Sequence, residues 1–311
     1  MIVSVSRRTD IPQHYAAWFF QRLAAGEALV RNPMNPRQVS RLRLGPDTVD
    51  GWVFWSKYPA PMLPHLDALA GYPYYFQFTL TGYGQDLEPG VPDKDGQVVP
   101  LFLELSQRLG PERVLWRFDP VLLSPTYTVD FHRRRFEQLA RRLADATCHC
   151  TLSFVDAYPS ILKTLRRLDL RAPDAQEQQT LAGHFASVAQ AYGLTLSTCA
   201  EAVDLAHLGI GHGACVDAAR LARIAGWPLA APKDLNQRGA CGCTQSVDLG
   251  AYNTCANGCA YCYASYRPAS ITAQIARHDP ASPLLVGHLE PGDTVRDRPM
   301  PRLREGQIRM L

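Results

Sequence analysis

Short runs rich in β-branched and aromatic residues alternate along this chain with longer segments of helical pattern. The runs, each of strand length, cover residues 2–6, 52–55, 74–78, 114–116, 151–155, 194–197 and 246–250. The helical patterns cover residues 14–25, 101–109, 129–144, 160–168, 175–192 and 216–225. Alternation of strand and helix is typical of a parallel sheet whose faces are covered by helices. The sequence therefore predicts an α/β fold.

The number of runs favours a full or partial (β/α) barrel of the TIM type over a Rossmann sheet, and no G-x-G-x-x-G sequence follows any run. In such barrels the chemistry lies at the C-terminal ends of the strands. Polar residues cluster there: Arg8, Asp10, Lys57, Gln77, Arg117, Asp119, Asp156 and Glu201. A strand-end salt bridge or a helix cap explains any one of them, but the set indicates a site.

The chain has 311 residues, of which 46% are hydrophobic, and this suits one large globular domain. We expect a single barrel domain over residues 1–267 and a tail, 268–311, that packs on the barrel or is partly flexible. A net charge of +3 is too small to indicate nucleic acid. We find no membrane span and no signal-peptide pattern. Nine cysteines then favour metal ligands over disulfides and a cytoplasmic location.

Three cysteines, Cys255, Cys259 and Cys262, follow the last run at the spacing C-x₃-C-x₂-C. Three thiolates can hold three irons of a 4Fe–4S cluster and leave the fourth open to a substrate or cofactor. Gly258 allows the loop to turn tightly around an inorganic core. Zinc with a fourth ligand from elsewhere, or disulfides in a secreted protein, are alternatives. Tyr261 and the strand before the loop favour the cluster.

The sequence Cys255-x₃-Cys259-x-Tyr261-Cys262 resembles the signature of the radical S-adenosylmethionine (SAM) enzymes. In that superfamily the cysteines bind a 4Fe–4S cluster, SAM occupies the open iron, and the aromatic residue lies by the adenine. Residues 252–264 are similar to the branch related to spore photoproduct lyase. Over most of its length the chain also resembles a bacterial family described as a domain of unknown function. That family opens with a segment like residues 4–12 and ends with the cysteine loop.

Ordinary radical SAM proteins carry the cysteine loop near the N-terminus, whereas here it lies near the C-terminus. If residues 246–250 pair with residues 2–6, circular permutation restores the barrel order. The segment after the first strand then takes the position where relatives contact the SAM amino group. The sequence has no Gly-Gly-Glu there, so Arg8 and Asp10 are candidates by position.

The resemblance implies an enzyme in which the cluster gives an electron to SAM and a 5′-deoxyadenosyl radical takes a hydrogen atom from a substrate. An electron donor such as flavodoxin or ferredoxin is implied. Tyr261 is expected near the adenine. The cavity is expected to be lined by Gln77 and Asp156, assigned with Tyr261 to cofactor binding, and by Lys57, Arg117, Asp119 and Glu201, assigned with Arg8 and Asp10 to catalysis. This mixture of charges predicts a small polar substrate.

A second set of cysteines, Cys199, Cys215, Cys241 and Cys243, is positioned to reach the same end of the barrel. Four thiolates can close an auxiliary iron–sulfur cluster or hold structural zinc, and some of these thiols could simply be buried in the core. The neighbouring cysteine loop favours iron–sulfur over zinc.

Two other functions remain open from the sequence. A nucleic-acid substrate is conceivable by similarity to the spore DNA lyase, with residues 133–135 and the basic tail on phosphates, but a strong basic stripe is missing. A metal-stabilised binding or redox-sensing protein is the alternative without catalysis.

Overall fold

The computed structural model describes residues 1–304. Its strands are β1 (Ile2–Val5), β2 (Glu27–Asn32), β3 (Asn35–Arg43), β4 (Gly51–Ser56), β5 (Tyr74–Thr79), β6 (Val114–Val121), β7 (His149–Phe154), β8 (Thr195–Thr198), β9 (Gly211–His212), β10 (Ser246–Asp248) and β11 (Thr294–Asp297). Its α-helices are α1 (Ile11–His14), α2 (Ala16–Ala25), α3 (Val99–Leu109), α4 (Val129–Leu143), α5 (Leu162–Arg167), α6 (Ala175–Ala191), α7 (Ala218–Ala225) and α8 (Pro268–Ala276). Shorter turns of 3₁₀-helix cover Ala60–Leu69, Pro111–Arg113 and Ala206–Leu208, and Lys94–Val98 forms a π-helical turn.

The main sheet has eight strands in the order β10-β1-β4-β5-β6-β7-β8-β9, and every neighbouring pair is parallel. The predicted α/β class is therefore confirmed, and each predicted run forms one strand of this sheet. The short strand β9 was not predicted. Strands β10 and β9 lie at the two edges, and closure of the sheet into a barrel stays a prediction.

The C-terminal strand β10 pairs in parallel with the N-terminal strand β1, as predicted, in the register Ile2 to Ser246 and Ser4 to Asp248. The buried Asp248 carboxylate accepts hydrogen bonds from the hydroxyls of Ser4 (2.8 Å) and Ser6 (2.5 Å) and from the backbone N–H of Arg7 (2.8 Å). This junction places the cysteine loop beside the residues that follow β1.

Alternate residues of each strand point to opposite faces of the sheet. Phe54, Phe76 and Trp116 face the helices, where Trp116 stacks on Phe136 of α4 at 4.9 Å. The residues between them belong to a second buried cluster that contains Val53, Tyr75, Leu115, Cys215, Cys241 and Cys243. The second cysteine set therefore lies on the face of the sheet opposite the helices α4 and α6.

The C-terminal segment packs on the rest of the chain as far as it is described. Strand β11 joins the hairpin β2–β3 in a small separate sheet, and Leu303 is buried with its backbone N–H on Asp50 (2.8 Å). The division into residues 1–267 and a tail stays a prediction, and for residues 305–311 it lies outside the described residues. None of the helices in residues 1–304 combines the length and the apolarity that crossing a membrane requires.

Candidate functional site

A cavity of about 560 Å³ lies where the strands of the main sheet end. Both sets of cysteines line it: Cys199, Cys215, Cys241, Cys243, Cys255, Cys259 and Cys262. Charged residues predicted from the strand ends line it as well: Arg8, Asp10, Lys57, Arg117, Asp119 and Asp156. The fold thus brings residues from opposite ends of the sequence onto one polar wall.

The cysteine loop, residues 250–264, is held closed at its base by side chains. The amide oxygen of Asn253 accepts hydrogen bonds from the backbone N–H groups of Tyr266 (3.1 Å) and Arg267 (3.2 Å). The hydroxyl of Tyr15 donates to the carbonyl of Thr254 (2.5 Å). The loop is therefore fixed both to itself and to the start of α2.

The middle of the loop is fixed through Asn257, which is buried. Its amide donates to Asp10 (3.3 Å), and its side-chain oxygen lies 3.0 Å from Nε2 of His14. Its backbone carbonyl accepts from the N–H of Gly90 (2.9 Å), and the N–H of Ala260 donates to Leu87 (2.9 Å). The segment around Gly90 thus forms one wall of the cysteine loop.

The buried carboxylate of Glu88 is the centre of an ion-pair network under the loop. It accepts from Nζ of Lys57 (2.9 Å), from Nζ of Lys94, from the hydroxyl of Thr81 (2.7 Å) and from the hydroxyl of Tyr261. Burial by itself opposes ionisation, but the two ammonium groups outweigh it and lower the pKa of Glu88 to about 2. Glu88 therefore stays ionised throughout the neutral range.

The two lysines respond differently to the same carboxylate. Burial lowers the pKa of each, and for Lys94 burial prevails, so its pKa lies below the ordinary value. For Lys57 the attraction of the Glu88 carboxylate prevails, and its pKa lies above the ordinary value. Lys57 also donates to the Tyr261 hydroxyl (3.0 Å). A fixed positive charge thus stands beside the cysteine loop.

Of the three loop cysteines, Cys255 is buried and Cys259 and Cys262 are half-buried. Burial raises the pKa of Cys255 to about 12 and also raises the pKa of Cys259 and of Cys262. Neighbouring thiols add to the rise for Cys255 and Cys259. The backbone N–H of Ser265 donates to Sγ of Cys262 (3.3 Å). Such a set becomes anionic when a metal replaces its protons.

The second cysteine set lies in one buried cluster beside the cavity, and its convergence on a metal centre stays a prediction. Sγ of Cys215 lies 3.2 Å from Sγ of Cys199, and the backbone N–H of Val216 donates to Sγ of Cys243 (3.4 Å). Nη1 of Arg117 donates to Sγ of Cys215 (2.8 Å). In residues 1–304, no group of three or more His, Cys, Asp or Glu side chains is already arranged to hold a metal ion.

Gln77 does not line the cavity among the described residues, contrary to our expectation. It is buried behind Cys215, where its amide donates to the Cys215 carbonyl (2.9 Å) and its oxygen accepts from Arg117 (3.2 Å). Because strand residues alternate between the two faces of a sheet, the Gln77 side chain lies on the face of β5 that packs against Cys215. Gln77 thus contacts both Cys215 and Arg117, and its assignment to cofactor binding stays a prediction.

Glu201 is also absent from the described cavity lining. Its carboxylate accepts from the backbone N–H of Phe154 (3.0 Å) at the end of β7, and burial raises its pKa to about 7. Asp10 does line the cavity but caps α1 through the N–H of Gln13 (3.0 Å) and also accepts from the N–H of Lys57 (2.8 Å). These carboxylates mainly accept hydrogen bonds from backbone N–H groups. This agrees with the alternative that a polar residue at a strand end serves as a helix cap or a local structural contact.

The remaining predicted charges form pairs around the cavity. Arg117 makes a two-pronged contact with Asp119 and lies over the Trp55 ring at 5.1 Å. Arg238 pairs with Asp156 (2.8 Å). Arg8 lies over the Tyr252 ring at 5.3 Å, and its Nη1 reaches the carbonyl of Gly250 (3.4 Å).

Two arginines of the run 133–135 have carboxylate partners, and Arg134 is exposed. Arg133 pairs with Asp130 (3.3 Å), and Arg135 pairs with Asp95 (3.1 Å). Arg142, about two turns further along α4, contacts the same Asp95 (2.6 Å). This surface therefore offers no observation that favours a nucleic-acid partner.

A family model described as a domain of unknown function, DUF1848, matches residues 2–264. The chain therefore belongs to the DUF1848 family. No curated protein and no solved structure matched the chain. Every residue that lines the cavity lies inside the DUF1848 match, which ends at Ala264, the last residue of the cysteine loop.

Two charged residues of this DUF1848 protein were missed by sequence reasoning. Glu88 and Lys94 lie between β5 and α3, in a segment of Pro, Gly and acidic residues that has the composition of an exposed loop. Glu88 is nevertheless buried, because Lys57 and Tyr261 reach it from distant parts of the chain. A single acidic residue between Leu87 and Pro89 gives no sequence pattern that would predict its burial or its partners.

Proposed function

We propose that this DUF1848 protein is a radical SAM enzyme that acts on a small polar substrate. The observation that carries the proposal is the position of the cysteine loop. The loop with Tyr261 follows β10 directly and lies on the wall of a cavity, lined in part by charged side chains, at the ends of parallel strands. Active sites of parallel α/β barrels lie at this end.

The donor set fits a 4Fe–4S cluster with an open iron. Three thiols come from one loop, and Gly258 has a φ of +64° that permits its tight turn. A cluster with three thiolates is anionic, and Lys57 places a positive charge next to Cys259. The N–H of Ser265 already donates to the sulfur of Cys262. When bound, the cluster and SAM would supply a 5′-deoxyadenosyl radical for hydrogen abstraction.

The chain's own residues would bind and orient the reactants. Glu88 fixes both Lys57 and the Tyr261 hydroxyl, so this side of the cavity is rigid before any ligand enters. Arg8 is a candidate partner for the carboxylate of SAM, because the only anionic or carbonyl partner described for its guanidinium is a long contact to Gly250. The ion pairs Arg117–Asp119 and Asp156–Arg238 offer both charges to a polar substrate.

The proposal includes a finer description of the fold. The main sheet would be a partial barrel that is circularly permuted relative to ordinary radical SAM proteins. The parallel pairing of β10 with β1 supports this order, since it puts the cluster strand next to the N-terminal strand. Buried Asp248 stabilises that junction by accepting from both Ser4 and Ser6.

The test is anaerobic reconstitution with iron and sulfide, followed by reduction in the presence of SAM and an assay for 5′-deoxyadenosine. We expect the wild-type chain to release 5′-deoxyadenosine and the triple variant Cys255→Ala/Cys259→Ala/Cys262→Ala to release none. Cys148→Ala is the matched control, because Cys148 is a half-buried free thiol outside both cysteine sets.

Two results would overturn the proposal. The first is a reconstituted wild-type chain that holds a cluster yet never forms 5′-deoxyadenosine. The second is a triple variant with the same iron content as the wild-type chain. Zinc in the place of iron at the cysteine loop would instead favour the binding or sensing protein.

A further inference from the structure

The side chains of Cys199, Cys215, Cys241 and Cys243 lie together on one face of the main sheet. Cys199 and Cys215 lie 3.2 Å apart, and Cys215, Cys241 and Cys243 belong to one buried cluster against which Cys199 packs. They come from three segments that are 16 and 26 residues apart in the chain, from 199 to 215 and from 215 to 241. All four line the same cavity as the cysteine loop.

We propose that these four cysteines bind a second metal centre, a soft metal or metal–sulfur cluster held by four thiolates. This inference does not rest on the radical SAM assignment, because it uses a different set of ligands. Thiolates select zinc and iron–sulfur clusters in proteins, and both are consistent with a donor set of four sulfurs.

The surroundings of these thiols differ from those of a cysteine that merely fills the core. The guanidinium of Arg117 donates to Sγ of Cys215 (2.8 Å), and the backbone N–H of Val216 donates to Sγ of Cys243 (3.4 Å). Donors directed at sulfur are the usual outer partners of metal-bound thiolates. Cys150, by comparison, is fully buried in the main core cluster, and its thiol donates to the carbonyl of Thr151 (3.9 Å).

The support around Cys215 is more extensive than simple packing requires. Its carbonyl accepts from both the Tyr75 hydroxyl (2.7 Å) and the Gln77 amide (2.9 Å), which are buried on β5. The side chain of Gln77 also fixes Arg117. Two adjacent strands, β5 and β6, therefore hold the backbone and the sulfur of one cysteine in place.

The thiols are not yet spaced as ligands, in line with the absence of an arranged metal site in residues 1–304. Two sulfurs of a tetrahedral zinc site lie about 3.8 Å apart, given a Zn–S distance of about 2.3 Å. The 3.2 Å between Cys199 and Cys215 is shorter. To bind zinc, these two sulfurs must move apart by less than an ångström. To bind an iron–sulfur cluster, they must move further apart. Rotation of the cysteine side chains provides such movement.

Four protein thiolates fill the coordination of zinc or of a four-iron cluster. Such a centre has no open position for a substrate, so it would stabilise the fold or pass electrons. Its place on the cavity wall distinguishes it from a peripheral zinc site. Because metal binding is coupled to folding, loss of a ligand should lower stability as well as metal content.

The test counts metals in the full chain purified and reconstituted without oxygen. We compare the wild-type chain with Cys241→Ala/Cys243→Ala, with the cysteine-loop triple variant and with Cys148→Ala. The double variant should lose about four irons, or about one zinc, per chain relative to the wild-type chain. The triple variant should keep that centre, and Cys148→Ala should match the wild-type chain.

If the double variant does not fold, the triple variant still tests the proposal, because the triple variant keeps all four cysteines of the second set. Mössbauer spectra of its iron, or zinc analysis, then identify the metal. A folded triple variant without iron or zinc would overturn the proposal, and so would a double variant with wild-type metal content. A Cys199–Cys215 disulfide in the anaerobically purified wild-type chain would overturn it too.

Discussion

The hydroxyl of Tyr261 donates a hydrogen bond to the buried carboxylate of Glu88. Through this contact the cysteine loop is joined to a network that includes Lys57 and Lys94. Tyr261 precedes the third cysteine of the loop, so the position of its ring depends on a residue more than 170 positions away in the sequence. The loop is thus supported by segments at the strand ends of the main sheet as well as by its own turns.

Glu88→Gln should destabilise the protein strongly. It removes the one carboxylate that Lys57 and Lys94 share, and breaking a buried ion pair by removing one partner costs about 3–5 kcal/mol. Urea unfolding measures the change. Glu104→Gln is the control, since its pair with Arg108 is exposed and is expected to contribute less than about 1 kcal/mol. Equal stability of the two variants would contradict the role given to Glu88.

Gly90→Ala should disturb the cysteine loop. An added Cβ would lie 2.6 Å from Cα of Asn257 and 2.7 Å from the carbonyl oxygen of Ala256, and backbone cannot yield easily at such distances. We expect a loss of about 1–3 kcal/mol and lower metal loading by the loop cysteines. Gly183→Ala in α6 meets nothing within 4 Å and should be neutral or stabilising by up to about 1 kcal/mol. Thermal unfolding and iron analysis of both variants test this difference.

Acid should destabilise the fold through His132. Burial lowers its pKa from 6.5 to about 4, and its Nε2 donates to the Leu122 carbonyl (2.7 Å). Between pH 6.5 and pH 4 His132 is protonated in the unfolded chain but neutral in the folded chain. The free energy of unfolding therefore falls as the pH drops through this range. The loss at the acid end is on the order of 3 kcal/mol.

His132→Gln keeps a donor for Leu122 and removes the titrating group. Its free energy of unfolding should fall less steeply with acid over the same pH range than that of the wild-type chain. Urea titrations at intervals between pH 7 and pH 4 give both slopes. Identical slopes would show that His132 does not carry the effect.

Asp248→Asn should weaken the junction between β10 and β1. The carboxylate accepts from four donors, namely the hydroxyls of Ser4 and Ser6 and the backbone N–H groups of Arg7 and Gly250. An amide places N–H against some of these donors, and an unsatisfied buried group costs about 1–3 kcal/mol. Urea unfolding of Asp248→Asn is compared with that of Asp67→Asn, a control at an exposed aspartate. Equal unfolding midpoints of the two variants would refute the prediction.

Local pattern was sufficient to predict much of the fold. The strand runs of the main sheet are short and rich in β-branched and aromatic residues, and each of them forms a strand. The helical patterns were also found close to their predicted bounds, for example α4 at Val129–Leu143. The spacing of Cys255, Cys259 and Cys262 within one loop is likewise local. Such features depend on neighbours in the chain, and a sequence displays them directly.

Contacts between distant segments were decided by the tertiary structure. Gln77 and Glu201 looked like cavity residues from their strand ends, but packing turned them toward Cys215 and Phe154. Glu88 gave no signal because its partners Lys57 and Tyr261 come from distant segments of the chain. Strand-end position determines the edge of the sheet that a side chain reaches. The neighbour that the side chain contacts there depends on how the loops pack. The local sequence pattern does not predict that packing.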